Sequence, residues 1–264
     1  MRESIMLKFR QLLVEPTGLY ETTGFHDVDI ALGNYITDIV DRARLCEPND
    51  INKAFAQYTD RKPQEKVIVG KFDDVASLLR HIHTAQAGRV TQQHDPHRNS
   101  DQLPIVNISR TFQVSIGNTD RAIQTRNHEH REIYDGKGQR PENIVAICAS
   151  QPATLTYDLF VIGADKESTS LLSNALAMQL VELVHTGFVA KTRLATASFK
   201  LDCALDGVKG FMYSDASSSG EQDRYYVAST QLSVVTEVIT AYNSRAINSV
   251  VRVFDPQTTE DLHE

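Results

Sequence analysis

Several residue types and sequence features are scarce in this chain of 264 residues. It contains no tryptophan, only 7% aromatic residues, and no apolar run near the roughly 18 residues that a membrane-spanning helix requires. Residues 1–6 include an early acidic residue and no long apolar segment, so we expect no secretory signal. The formal net charge of −7 disfavours a protein that neutralises nucleic acid phosphates over a broad surface. A hydrophobic content of 41% is too high for a disordered chain and is sufficient for a core.

Cysteine is also scarce, with three residues at wide spacing: Cys46, Cys148 and Cys203. An odd number without a CxxC pair disfavours both a disulfide framework and a cysteine-based zinc site. We expect these residues to be small buried side chains in a protein of a reducing compartment.

The N-terminal part of the chain shows helical periodicity. Apolar residues recur at three- and four-residue spacing between Ile5 and Leu13, and Pro16-Thr17-Gly18 predicts the end of that helix. Two further patterns, over residues 32–43 and 51–58, each place apolar side chains on one helical face. These patterns predict an α-helical N-terminal extension over residues 1–62.

Strand patterns predominate from residue 63 onward. Alternating or continuous apolar residues predict strands over residues 66–70, 104–116, 144–149, 152–162, 199–205, 225–242 and 247–254. Helical spacing predicts a helix from Asp73, as N-cap, to His83, and another from Lys166 to Val184 that Gly187 terminates. Polar segments over residues 86–102, 117–142 and 210–224 are expected to be long loops.

These elements predict a single α+β domain over residues 1–264. Its core, residues 63–255, is expected to be a mostly antiparallel twisted sheet with the two helices packed on one face. The helical extension precedes this core, and a polar acidic tail follows it at residues 256–264. Arg110 interrupts the apolar face of its strand, which predicts a bulge or an edge there. The strand over residues 225–242 would be roughly 60 Å long, so we expect it to bend or to project and pair with another chain.

Histidines are the main candidates for a metal site. Four of them lie in predicted loops that could converge: His94, His97, His128 and His130. Their spacing matches no recognised zinc motif, and HExxH is absent. Surface or interface histidines that titrate near neutral pH are the interpretation that we favour.

Other motifs do not predict catalysis. Residues 163–169 follow a strand and open a helix, where a phosphate loop would lie, but acidic residues occupy the position of the anion. Helix capping explains this segment better. GxGxxG and GxSxG are absent. We therefore predict no catalytic residue, no metal, no cofactor and no enzymatic activity.

One cluster of basic residues lies in the predicted loop at 117–142, and its arginines are Arg121, Arg126, Arg131 and Arg140. Acidic residues interleave with them. Mixed charge at this density favours salt bridges to a partner protein over a nucleic acid track.

The order of the segments suggests a family. A proline-led strand at Pro104–Ile108 is followed by a P-x-x-L-x-Y-x-L pattern that begins at Pro152 and continues into the helix that starts at Lys166. This arrangement, closed by the strands over residues 199–205 and 225–242, resembles the tail terminator, or tail-sheath stabiliser, proteins of contractile-tailed bacteriophages. The resemblance covers residues 62–254 and leaves out the N-terminal part and the loop at 117–142.

The resemblance implies a non-enzymatic virion protein of the tail and neck, assembled in the host cytoplasm. Family members form a hexameric ring at the head-proximal end of the tail, which stops polymerisation of the tail tube and sheath and binds neck or head-completion proteins. Genomic DNA passes through the lumen without sequence-specific binding, and no membrane is involved. A head-to-tail ring buries two different surfaces of each chain. We expect the four arginines of the loop and four residues of the long strand to supply contacts: Tyr226, Leu232, Val234 and Glu237.

Two alternative functions stay open at this point. A head-completion or neck adaptor, or a baseplate protein, would use similar surfaces. A metal-dependent hydrolase, from a different class, would use the loop histidines.

Overall fold

The fold combines one large sheet with a few helices, so the α+β class is confirmed. The computed structural model describes residues 14–45, 47, 49–72, 75–87, 102–117, 131–134, 144–182, 187–194, 197–215 and 225–246. Its helices are α1 (His26–Asp41), α2 (Lys53–Asp60), α3 (Val75–Ala87) and α4 (Lys166–Glu182). Its strands are β1 (Val14–Thr22), β2 (Val67–Val69), β3 (Ile105–Ile116), β4 (Arg131–Tyr134), β5 (Ile144–Gly163), β6 (Phe188–Leu194), β7 (Ala197–Val208), β8 (Met212–Asp215) and β9 (Tyr226–Ala246).

The sheet is mixed and curls into a half-barrel. Its main path has the strand order β2-β3-β5-β9-β7-β6, while β4 pairs with β5, and β1 and β8 pair with β9. The ladder between β2 and β3 is parallel, whereas the other ladders among the described residues are antiparallel. The prediction of a mostly antiparallel sheet is therefore corrected to a mixed sheet, because β2 and β3 are parallel.

A long ribbon of β5 and β9 forms the centre of the sheet. The two strands pair without a register shift from Ala146, opposite Asn243, to Gly163, opposite Tyr226. The sequence predicted two strands separated near Pro152, but β5 is continuous. Pro152 lies at a position where β3 has ended on the outer edge of β5 and β4 has not begun, so the missing N–H interrupts neither of those ladders.

The helices α3 and α4 lie on opposite faces of the sheet, which corrects the expectation that both cover one face. Buried residues of α3 pack with Ile162 of β5 and Val227 of β9, whereas those of α4 pack with Val161 and Ala228. Neighbouring residues of a strand point to opposite faces. The two helices therefore cover different sides of the same strands.

Helix α1 shares the larger core with α4 and contacts both β2 and β6, the two outer strands of the main path. The ring of Tyr35 stacks on Phe188 of β6 at a centroid distance of 5.3 Å. Gly33 faces Val69 of β2 so closely that an added Cβ would lie 2.4 Å from a Val69 methyl carbon. Glycine at this position lets the helix approach the strand.

The N-terminal part differs from the predicted helical extension. Helices α1 and α2 confirm the second and third patterns, but Pro16-Thr17-Gly18 lies within strand β1 instead of ending a helix. The predicted helix over Ile5–Leu13 lies outside the described residues, as do the predicted N-cap Asp73, the strand over 247–254 and the tail at 256–264.

Besides β1, three strands were missing from the prediction: β4, β6 and β8. The first lies in the predicted loop at 117–142, and the third lies in the predicted loop at 210–224. Gly187, which was expected to terminate α4, lies directly before β6. A bulge or an edge was predicted at Arg110, and the pairing of β3 with β5 shifts register between Arg110 and Val114.

Candidate functional site

One end of the β5–β9 ribbon carries an additional strand on each side. Strand β4 pairs with residues 144–148 of β5, and β1 pairs with residues 240–246 of β9, which gives the local strand order β4-β5-β9-β1. We call these four paired segments the four-stranded end. The residues Glu132, Ile147, Tyr242 and Tyr20 occupy one row across it, and Arg131, Cys148, Ala241 and Glu21 occupy the adjacent row.

The two faces of the four-stranded end differ in exposure. Tyr20 and Tyr242 are 68% and 44% exposed, and their ring centroids lie 6.3 Å apart. On the opposite face, Ala146, Cys148 and Ala241 are fully buried. One face therefore belongs to the core, while the other presents paired aromatic rings, a residue type that is enriched in protein interfaces.

Hydrogen bonds fix the position of β1 against β9. The backbone N–H of Thr23 donates to the carbonyl oxygen of Ile239 at 2.9 Å, and the backbone N–H of Ile239 donates to Thr23 Oγ1 at 3.0 Å. Both Thr23 and Ile239 are buried. These bonds join residues that are 216 positions apart in the sequence.

A partly buried polar cluster lies beneath the first turn of α1. The hydroxyl of Tyr157, a fully buried residue of β5, donates to Asp29 Oδ1 at 2.7 Å. Arg110 Nε lies 3.3 Å from the same oxygen, and the Arg110 guanidinium lies 5.3 Å from the centre of the Phe25 ring. The cluster thereby joins α1 to two neighbouring strands.

Burial governs the ionisation of this cluster. Desolvation raises the pKa of Asp29 above its usual 3.8, although the Tyr157 hydroxyl and Arg110 oppose that shift. Burial, together with the Asp29 carboxylate, also raises the pKa of Tyr157, so this hydroxyl stays protonated and acts as a donor. The arrangement suits a structural role in which a half-buried carboxylate receives a donor and a cation.

A second polar cluster connects α1, α2 and β2. Lys66 is a buried residue whose ammonium donates to the carbonyl oxygen of Thr59 at 2.9 Å and to Asp41. The hydrogen bond and the charge of Lys66 lower the pKa of the Asp41 carboxyl. A buried lysine with two acceptors is satisfied by its own chain.

Two clefts border α4. One, with a volume of about 270 Å³, lies between the ends of α1 and α4 and is mainly apolar, with Leu176 and Met178 among its lining residues. The other, of about 380 Å³, lies between the start of α4 and β8. The Tyr213 hydroxyl beside it lies 2.9 Å from Ser173 Oγ and 3.2 Å from Asn174 Oδ1. The Tyr213 hydroxyl thus has hydrogen-bond partners on α4.

Of the four residues of the long strand that were predicted to contact a partner, three are buried within this chain. Strand β9 is paired on both edges within the chain, so it is not an open strand. Leu232 and Val234 are 0% exposed and Glu237 is 3% exposed, which makes them parts of this chain's interior and not a surface offered to a neighbour. Tyr226 is partly exposed, and the Lys166 ammonium lies 5.5 Å from its ring centre.

The predicted arginine cluster is described only in part. Arg131 opens β4 and lies opposite Cys148. Three arginines lie outside the described residues: Arg121, Arg126 and Arg140. The prediction that they contact a partner stays a prediction.

The four loop histidines were the predicted candidates for a metal site. All four lie outside the described residues: His94, His97, His128 and His130. Within the part of the chain that the structure describes, no group of three or more His, Cys, Asp or Glu residues is placed to hold a metal ion. Of the described helices, none is both long and apolar enough to cross a membrane.

Sequence reasoning missed the four-stranded end. Its exposed aromatic residues, Tyr20 and Tyr242, are separated by most of the chain. The available signal was the β-favouring composition of residues 14–22, but the proline and glycine within that segment favoured a turn.

In comparisons with known proteins, no family model and no curated protein matches the chain.

Proposed function

We propose that this chain is a non-enzymatic structural protein that binds further copies of itself. In the finer form of the proposal, it forms a hexameric ring at the head-proximal end of a contractile phage tail, in the virion. There the ring ends polymerisation of tube and sheath and joins the tail to neck proteins.

The four-stranded end is the observation that carries the proposal. Its outer face exposes the Tyr20–Tyr242 pair, and its two outermost strands, β1 and β4, each have one partner strand among the described residues. Exposed strand edges and aromatic pairs are features by which proteins bind other chains. The resemblance of residues 62–254 to tail terminators supplies the choice of a ring and of its location.

The charge of the chain supports the finer proposal. With a formal net charge of −7, a ring would not retain DNA in its lumen through phosphate attraction. A structural protein of this kind would require no cofactor and no sequence-specific contact to DNA.

Sizing of the purified protein tests the coarser proposal. We expect a species near six times 29.5 kDa in native mass spectrometry and ring-shaped particles in negative stain. The double variant Tyr20→Ala/Tyr242→Ala should reduce this species. Ile51→Ala, which truncates a side chain that is 71% exposed shortly before α2, should not reduce it. A protein that stays monomeric at all accessible concentrations would refute the proposal.

A second experiment tests the location in the tail. The protein is mixed with polymerising tail tube or sheath protein, and the lengths of the products are measured by electron microscopy. A terminator binds the growing end and shortens the polymers. Assembly into rings without any effect on polymer length would instead favour a neck adaptor.

A further inference from the structure

The two outermost strands of the four-stranded end run in opposite directions. Each neighbouring pair in the order β4-β5-β9-β1 is antiparallel, and the number of strands is even. Strand β1 pairs with β9 alone and β4 pairs with β5 alone, as far as the described residues go. The end therefore presents two different strand edges of opposite polarity.

These two edges fit one another in separate copies of the chain. If a second copy is related to the first by rotation about an axis nearly parallel to the strands, its β4 comes to lie beside β1 of the first copy. Because β1 and β4 are antiparallel, this contact continues the alternation of the sheet with antiparallel hydrogen bonds. Repetition of such a heterologous contact gives a ring when the rotation closes.

Charge distinguishes this contact from pairing between identical edges. Strand β1 carries two acidic residues and no basic residue, whereas β4 carries one basic and one acidic residue, Arg131 and Glu132. Glu21 of β1 and Arg131 of β4 occupy the same row of the four-stranded end. A β1–β4 contact in that row brings opposite charges together, while a β1–β1 contact brings acidic strands together, which is unfavourable.

The two strands that end the main path of the sheet are less suited to this contact. Strands β2 and β6 end the main path of the sheet, but helix α1 contacts both of them. The exposed positions of β6 include Lys191 and Arg193, and charged residues at an edge disfavour pairing with another chain.

We propose that β1 of one copy pairs antiparallel with β4 of the next copy, so that the four-stranded ends join into one continuous sheet. The partner is thus a second copy of this chain, and the interface is formed by main-chain hydrogen bonds. This inference rests on the proposed self-assembly and specifies the surface that carries it.

Hydrogen–deuterium exchange of the full chain, below and above its assembly concentration, tests the pairing. We expect the backbone amides of β1 and β4 to become protected together on assembly, while those of β6 stay unchanged. Assembly without added protection of β1 and β4 would overturn this inference and leave the proposed function standing. Absence of assembly at every concentration would overturn both.

Charge reversal tests the register and the polarity of the contact. Glu21→Arg and Arg131→Glu should each weaken assembly roughly tenfold per interface, and the double variant should restore it. The control, Lys191→Glu on β6, changes the net charge by the same amount as Arg131→Glu and should leave assembly unaffected. Weaker assembly of Lys191→Glu, no rescue in the double variant, or a species that stops at two copies would overturn the β1–β4 contact.

Discussion

The hydrogen bond from Tyr157 to Asp29 offers a test of how the structure is stabilised. Replacement of Tyr157 by phenylalanine removes the hydroxyl that donates to Asp29 Oδ1 at 2.7 Å and keeps the buried ring in place. Hydrogen bonds to charged groups contribute about 1.5–3 kcal/mol to stability. Asp29 retains Arg110 at 3.3 Å, so we expect the free energy of unfolding to fall by about 2 kcal/mol.

A second buried tyrosine provides a matched control. Tyr58 is also 0% exposed, but its hydroxyl donates to a neutral acceptor, the carbonyl oxygen of Lys66, at the longer distance of 3.3 Å. Tyr58→Phe should therefore cost about 1 kcal/mol or less. Urea unfolding measures both values, and thermal unfolding should show a loss of roughly 4–8 °C for Tyr157→Phe. Equal costs for the two variants would refute the argument that the carboxylate matters.

The pH dependence gives an independent check on this prediction. The folded pKa of Asp29 is raised above 3.8, so its contribution to stability is most favourable below pH 3.8 and is lost as the pH rises through the folded pKa. The Tyr157 hydroxyl opposes that loss because it binds the ionised form. The cost of Tyr157→Phe should therefore be largest at neutral pH and should shrink as Asp29 becomes protonated. In an Asp29→Asn background the cost should not vary with pH, and variation there would contradict the assignment.

Three further predictions concern other contacts. Gly33→Ala should destabilise the protein by about 1–3 kcal/mol in urea unfolding, despite the better helix propensity of alanine, because the new Cβ would lie 2.4 Å from a Val69 methyl carbon. The double variant Gly33→Ala/Val69→Ala should recover most of this loss of stability, and no recovery would show that the clash with Val69 is not its cause. The pKa of Asp41, measured by NMR, should lie below 3.8 and should rise in Lys66→Met. The stabilising contribution of Asp41 is therefore present above pH 3.8 and is lost as the pH falls through the folded pKa. An unchanged pKa of Asp41 in the variant would contradict the ion pair. In a Cys46→Ser background, the two remaining thiols, Cys148 and Cys203, are buried, and burial raises the pKa of the Cys203 thiol. A thiol reagent should therefore modify this variant only after unfolding, and rapid labelling of the native protein would contradict the burial of the two thiols.

Local sequence patterns predicted those helices and strands whose structure is determined by residues close to one another in the sequence. The alternation over residues 104–116 and the helical spacing from Lys166 onward correspond to β3 and α4. Arg110, the one charge on an apolar face, predicted a bulge or an edge. The structure shows a register shift directly after it and an ion pair between Arg110 and Asp29 of α1. The partner could not be read from the sequence because it lies 81 positions earlier, on a different element.

Elements that depend on distant partners were missed or misjudged. Residues 14–22 contain a proline and a glycine that favour a turn, yet they form β1 because β9 supplies the hydrogen bonds. Pro152 suggested a break, but its missing N–H lies at a gap between β3 and β4 on the outer edge of β5. In each case tertiary pairing overrode a local preference.

Strand β9 shows that a sequence pattern without tertiary information can point to the wrong surface as an interface. Periodicity predicted that residues 225–242 form an unusually long strand, and it predicted which of their side chains share a face. It does not indicate which edges of that strand are already paired within the chain. In the fold, β9 is paired on both edges by four strands of its own chain: β1, β5, β7 and β8. Its length therefore serves to hold distant parts of the chain together. The edges that we propose for another copy are those of β1 and β4, and these strands lie in segments where the sequence predicted a turn and a loop.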